Sequence, residues 1–346
     1  MNPADPLLIP SARLETWVEA AFTAAGLPAQ DAALSAGLLV QTSLWGIDSH
    51  GVARVPHYLN RLSLGSIRAR PELKFTRTAP ATGQVDGGDG LGFVVLDFAT
   101  RHAIDLARDA GVGAVGVSNS SHCGAIGLYA RQITRAGQIA IVFTHSDSFV
   151  TPHGGDRAFF GTNPIAIAIP TPDPDRPFCA DLATSVAPWN RIMNARRENQ
   201  PVPPGLGVDR DGRDTTDPHA IVALRPAAGH KGYALAFAID LLCGPLNGMA
   251  YGPHLAPMYA QLDRPRCLGS FVLALDPSRF AGGAALAAVV ATAMAEVKTQ
   301  GREVLAPGDP EYGSESRRRA EGIPVESSLL EELRHWATRL GLPTLG

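Results

Sequence analysis

Apolar positions recur at helical spacing near the start of the chain. Leu14, Val18, Ala21 and Ala25 share one face, and Ser11 stands where an N-cap belongs. Leu34, Leu38 and Leu39 mark a second helix. A third is predicted from about Val52 to Leu64, ended by Gly65. At the other end, Ser328-Leu-Leu-Glu331 spells a capping box. Leu330, Leu333, Ala337 and Leu340 form an apolar stripe, which Gly341 and Pro343 terminate. Residues 1–70 therefore read as a helical part that packs with 305–346, and 71–304 as an α/β region.

Between the ends, helical and extended patterns alternate. Helices are predicted over Thr100–Asp109, Leu128–Ala136, Lys231–Leu242 (as a buried helix) and Ala284–Lys298. Strands are predicted over Val112–Val117, Ile139–Thr144, Ile165–Ile169 and Phe271–Leu275. This alternation predicts an α/β core with covered sheet faces. The stretch from Asn199 to Asp217 is rich in Pro, Gly and Asp and reads as a surface excursion.

Composition narrows the function classes. The chain has 346 residues, 45% hydrophobic and 18% charged, which is globular and long enough for two lobes. A net charge of −3 gives no basic footprint for nucleic acid or anionic lipid. Met1–Pro10 has no basic segment, and Leu7-Leu8-Ile9 is too short for the apolar part of a secretion signal. No apolar stretch is long enough to span a bilayer. Cys123, Cys179, Cys243 and Cys267 are widely spaced and suggest no disulfide framework, which fits a reducing cytoplasm.

Several motifs carry candidate chemistry. Gly111-Val-Gly113-Ala-Val-Gly116 has the G-x-G-x-x-G spelling of a dinucleotide fingerprint, but a helix precedes it and a strand follows. The fingerprint needs the opposite order, so the glycines read as a helix stop and a tight turn into a strand. Gly87-Gly-Asp-Gly-Leu-Gly92 is a glycine-rich loop without fingerprint spacing. Gly46-Ile-Asp-Ser-His-Gly-Val-Ala-Arg54 sets His50 and Arg54 four residues apart, as on one helical face. There they offer a proton carrier and a carboxylate fork, or a capping turn with a surface Arg. Ser120-Ser-His-Cys-Gly-Ala125 puts His122 after a buried strand, where α/β sheets bind ligands; a satisfied loop histidine is the bland reading. Asp181-Leu-Ala-Thr-Ser185 ends another strand-like run, as a ribose contact or a capping turn. Lys231 opens an apolar helix, where a cation opposes the helix dipole. That placement suits either an anionic ligand or a solvated side chain. No His-Glu-x-x-His or clustered Cys/His spacing points to a metal.

In this order, these segments resemble the type-2 malate/lactate dehydrogenase family. The match runs through Gly46–Arg54, Ser146-Asp147, Pro152-His-Gly-Gly155, Gly161-Thr-Asn-Pro164 and Asp181–Ser185. It continues through Thr215–Pro218, Pro226–Tyr233 and Met258-Tyr259, and weakens after about Gly301. Ser146-Asp147, Trp189, Ala195-Arg196 and Met258-Tyr259 resemble its ureidoglycolate branch. The resemblance implies a non-Rossmann NAD(P)-binding α/β fold and a homodimer with active sites near the subunit boundary. It implies His122 as acid/base, with His50, Arg54 and Thr162 as active-site or substrate contacts. Asp147, Tyr58 and Tyr259 are further substrate candidates. Ser146, Asp181, Leu182, Ala183, Lys231, Pro307, Gly308 and Asp309 correspond to cofactor contacts.

The chemistry implied is hydride transfer between NAD or NADP, with NAD favoured, and a small 2-hydroxy or 2-keto acid. Arg54 would hold the carboxylate, and His122 would take the hydroxyl proton. For ureidoglycolate, oxidised to oxalurate, Asp147 would accept the ureido N–H groups. The alternatives are a malate- or lactate-type 2-keto acid reductase, a cyclic-imine reductase and a catalytically silent cofactor-binding scaffold. The imine-reducing branch pairs residues matching Ser49 and His50 with a later Asp, a position taken here by Arg191. His50, His122 and Arg54 together argue against a silent scaffold.

Overall fold

The computed structural model describes residues 6–345. Of the Met1–Pro10 stretch, residues 1–5 lie outside the described residues, and Leu7–Ile9 form a strand. In chain order the elements are β1 (Leu7–Ile9), α1 (Ser11–Ala24), α2 (Ala29–Leu44), α3 (Val55–Ser63), β2 (Lys74–Ala79), β3 (Thr82–Asp86), α4 (Gly92–Ala110) and β4 (Val112–Ser120). Then come α5 (Gly127–Arg135), β5 (Ile139–Thr144), β6 (Ile165–Ile169), β7 (Phe178–Leu182), α6 (Trp189–Glu198), β8 (Gly207–Val208), β9 (Ala223–Leu224) and α7 (His230–Cys243). The chain closes with β10 (Leu268–Leu275), α8 (Gly283–Lys298), α9 (Asp309–Glu321), β11 (Ile323–Val325) and α10 (Ser327–Leu340).

The centre is a seven-stranded sheet in the order β2-β3-β4-β10-β5-β6-β7. Only β3 and β4 pair in parallel, joined by α4. β10 inserts between β4 and β5 and runs antiparallel to both, so the sheet is mixed and mostly antiparallel. α4 and α5 pack on it, and the buried faces of β4, β5 and β6 join the α1, α2, α3 and α10 residues in one continuous core. β1 pairs with β11, which ties the two ends of the described chain together beside α1 and α10.

Some local expectations fail for physical reasons. Ser11 and Ser328 are not caps: α1 starts after Pro10 and α10 after Glu326, with no side-chain cap on either. α7 is not buried all round. Ala236, Ile239, Asp240 and Cys243 face inward, while Leu235, Phe237 and Leu241 are exposed. The excursion after Asn199 is more than a loop. Its Val202 and Leu206 join Val150, Phe160, Ile192, Ile221 and Leu224 in a second small core.

The Gly111–Gly116 run behaves as its reversed order predicts. Gly111 ends α4 in the left-handed region at φ 82°. Gly113 lies so close to α4 that a Cβ there would sit 2.0 Å from the Ala103 carbonyl oxygen. The glycines serve the packing of helix on strand.

Candidate active site

A cavity of about 370 Å³ opens beyond the end of β4. It gathers His50, Arg54, His122, Ser146, Asp147, Thr162, Asp181, Ala183 and Tyr259 from segments far apart in the chain.

His122 follows β4 in a loop held by its neighbours. Gly92, the first residue of α4, donates its N–H to Ser121 Oγ at 2.8 Å. A Cβ on Gly92 would fall 2.4 Å from the Ser121 and His122 carbonyl oxygens, so this close approach requires glycine. The Gly87–Gly92 loop thereby gains a purpose: it lets α4 brace the His122 loop. Tyr58, buried on α3, places its hydroxyl 2.6 Å from His122 Nδ1. That contact, with the Gly124 N–H 3.4 Å from the same nitrogen, orients the ring and turns Nε2 away from both partners. Tyr58 is thus a support behind His122 and not part of the cavity wall.

His50 and Arg54 do not lie on one helical face. Their segment folds into two short 3-10 turns, Asp48–His50 and Val52–Arg54, which still bring both side chains into the cavity. Arg318 of α9 clamps the first turn by donating to Asp48 with both terminal nitrogens. Ser49 Oγ lies 2.8 Å from His50 Nδ1. The rings of His50 and His122 stack with centroids 5.5 Å apart. Arg54 donates from Nε to the Ser49 carbonyl at 2.6 Å, from Nη1 to Tyr259 Oη at 2.9 Å and from Nη2 to Asn190 Oδ1 at 3.2 Å. A guanidinium has five N–H groups, so donors remain for a carboxylate.

The electrostatics are one-sided. Burial, then His50 and the nearby arginines, hold His122 well below its ordinary range. Burial and Arg54 push His50 down to about 4. Both rings are therefore neutral at pH 7. Burial raises Asp181 to about 6, against the pull of the Gly127 N–H, which donates to its Oδ2 at 2.8 Å.

Asp147 corrects one expectation. It lines the cavity, but its carboxylate is already engaged: Arg266 donates to Oδ1, and the Met258 N–H donates to Oδ2 at 2.9 Å. The pair is buried and carries no net charge. In place of a free acceptor facing the substrate, Asp147 is a paired one; with Arg266 beside it, it offers no net negative charge to repel a second carboxylate.

The remaining candidates divide. Ser146 and Thr162 meet in the wall, where the Thr162 N–H donates to Ser146 Oγ at 3.2 Å. β7 is an edge strand. The Cys179 N–H points outward to the Pro307 carbonyl at 3.2 Å. By the two-residue repeat, Asp181 turns its own N–H and C=O to that edge. Leu182 is 59% exposed just beyond. Pro307, Gly308 and Asp309 run beside the same edge without lining the cavity, and Asp309 faces Lys298 at 3.3 Å. Lys231 is exposed in the first turn of α7, away from the cavity lining. An open edge strand next to His122 suits the amide and ribose of a nicotinamide cofactor. Arg191 lies in a neighbouring groove; Pro188, Trp189 and Asn190 of that stretch line the cavity. Sequence reading also missed Phe149, Pro164 and Glu311 in the wall, and Arg266 behind it.

Comparison with known proteins agrees with the fold. The sequence pattern of the malate/L-lactate dehydrogenase family matches residues 9–334. Ureidoglycolate dehydrogenase (NAD+) of Escherichia coli is 34% identical over 325 residues, 92% of this chain and 93% of that protein. L-sulfolactate dehydrogenase of Methanothermobacter thermautotrophicus is 35% identical, over 93% and 94% of the two chains. The solved sulfolactate dehydrogenase of Methanocaldococcus jannaschii superposes with a TM-score of 0.91 at 32% identity, over 97% of this chain and 98% of that one. The chain belongs to the malate/L-lactate dehydrogenase family.

Proposed function

We propose that the chain is an NAD(P)-dependent dehydrogenase that moves a hydride between a nicotinamide and the α-carbon of a small 2-hydroxy or 2-keto acid. The observation that carries this reading is the pairing of an oriented, neutral His122 with the fork of Arg54 in one cavity. Arg54 holds the substrate carboxylate, joined by Tyr259 and Asn190. His122 Nε2 takes the hydroxyl proton, and Tyr58 keeps the ring in place. His50 closes the other side. Asp181 and Ala183, with Ser146, Leu182 and the Pro307–Asp309 segment, hold the cofactor, which supplies the hydride acceptor when bound. Lys231, outside the cavity on the first turn of α7, would serve the cofactor's phosphates. NAD is favoured over NADP. Arg54→Lys keeps the charge but loses the planar fork, so kcat/KM is expected to fall by roughly 10-fold or more. An amide analogue of the substrate should react poorly with the wild type. Equal turnover of acid and amide would remove Arg54 from this role.

For the substrate, our reading is ureidoglycolate, oxidised to oxalurate. Each Asp147 oxygen keeps a further acceptor position beyond Arg266 and Met258, and a ureido group brings the donors to use it. Lactate brings no such donors. The expected preference over malate and lactate is more than roughly 10-fold in kcat/KM. Asp147→Asn, which removes half of that accepting capacity, should narrow it. Equal values for the three acids in wild type would end the assignment. A preference unchanged in the variant would move its cause away from Asp147.

A homodimer is part of the same reading. It is supported by the exposed apolar residues of α7 and by α8, an Ala- and Val-rich helix with no fully buried residue.

The site also sets an acid limit. His50 and His57 titrate at about 4 and about 3 in the fold, chiefly through burial, against an ordinary 6.5. His122 is shifted the same way. The unfolded chain binds these protons first, so stability is complete above pH 6.5 and is lost as pH falls toward 4. Asp181, raised to about 6, offsets part of the loss. The Tm should drop by roughly 3 °C or more between pH 7 and pH 4.5. A Tm that holds or rises over that interval would contradict neutral buried histidines.

A further inference from the structure

A second cavity, also about 370 Å³, lies between α2, α5, the turn at 174–177 and α9. It shares no lining residue with the one that holds His122. Four guanidinium groups line it, against two carboxylates. Arg319 is paired with Glu315 at 2.6 Å, and Arg135 with Asp175 at 3.3 Å. Arg176 has no ion pair among the described residues, and Arg131 meets a carboxylate only from outside the lining.

Arg131 is the unusual member. It is only 5% exposed and is packed between aromatic rings, 4.1 Å from the Trp45 centroid and 4.9 Å from that of Tyr312. Its Nε is enclosed and has no hydrogen-bond partner, its side chain also bonds Cys179, and Glu311, its one ion contact among the described residues, is 4.0 Å away. A buried donor left unmet is costly, and a charged one more so. Arg176 is exposed at the rim, 5.7 Å from the Tyr312 centroid, with no ion pair among the described residues. Aromatic stacking orients both guanidinium planes without using their N–H groups.

We infer that this cavity binds a phosphate dianion, free or as a monoester. The surplus of guanidinium over carboxylate groups in the lining matches the sign of its charge. The N–H forks of Arg131 and Arg176 match its oxygens, which accept several donors at once. The anion would tie α5, through Arg131, to the 174–177 turn, through Arg176. α5 begins at Gly127, which holds Asp181. Occupancy of this site would therefore stiffen the α5 support of the first cavity.

The test is calorimetric titration of the whole protein with inorganic phosphate and with glycerol phosphate, at constant ionic strength against chloride. Saturable binding of at least one probe is expected in wild type and in Lys231→Ala. It should weaken at least 10-fold in Arg176→Gln, whose exposed position spares the fold, and in Arg131→Gln. Absence of saturable binding of both probes would overturn the inference. So would undiminished binding in Arg176→Gln, or binding lost in Lys231→Ala alone, which would place the anion at the cofactor phosphates. None of these outcomes depends on the proposed dehydrogenase activity.

Discussion

His122→Ala is expected to lower kcat by roughly 10²–10⁴-fold, while the Kd for the nicotinamide cofactor stays within about twofold. The ring has one nitrogen fixed by Tyr58 and the other turned away, and it is neutral at pH 7. That is the state needed to accept a hydroxyl proton. Reduction needs the protonated ring, which this depression makes scarce at pH 7. Oxidation should therefore hold its rate as pH falls below 7, and reduction should slow as pH rises. Stopped-flow turnover with a fluorescence titration of the cofactor separates the two effects of the variant. A loss of cofactor binding equal to the loss of turnover would make His122 a structural residue. Near-normal turnover would move the proton to His50, whose ring stacks beside it.

Arg266→Met is expected to destabilise the fold by about 3–5 kcal/mol, read from urea unfolding. Removing Arg266 strands the Asp147 carboxylate in a buried setting with only the Met258 N–H to bond. Arg266 is itself imperfectly satisfied, since its Nη1 has no hydrogen-bond partner. A double variant, Arg266→Met with Asp147→Leu, should then recover most of the loss, because no buried charge remains unpaired. A single variant that costs under about 1 kcal/mol would mean the pair is wetter than its burial indicates.

Elements with a strong apolar rhythm could be read from the chain. β5 and β6 have the bounds their patterns predict, and α8 begins one residue earlier. α9 carries Asp309–Glu321 with a single buried residue, Tyr312, so no stripe announces it. β11 contains Pro324 and is only three residues long; it becomes a strand because β1 is there to pair with it. The place of β10 between β4 and β5 depends on long-range pairing that no local pattern encodes. In the site, His122 was visible because it follows a buried strand, and His50 with Arg54 because they share a short segment. Arg266 was not: it meets Asp147 across 119 positions, and nothing near it in sequence marks it as a partner. The second cavity was hidden for the same reason, since its arginines are scattered over three parts of the chain.

The central claim is hydride transfer to or from a 2-hydroxy acid, and the absorbance of reduced nicotinamide tests it most directly. The purified protein is mixed with NAD+ or NADP+ and, in turn, ureidoglycolate, malate, lactate and sulfolactate. The keto acids are run in the reverse direction with the reduced cofactors. Reduced nicotinamide should accumulate with at least one hydroxy acid, fastest with ureidoglycolate and NAD+, and not in His122→Ala. Absence of turnover with every acid in both directions, by folded protein that binds the cofactor, would contradict the account.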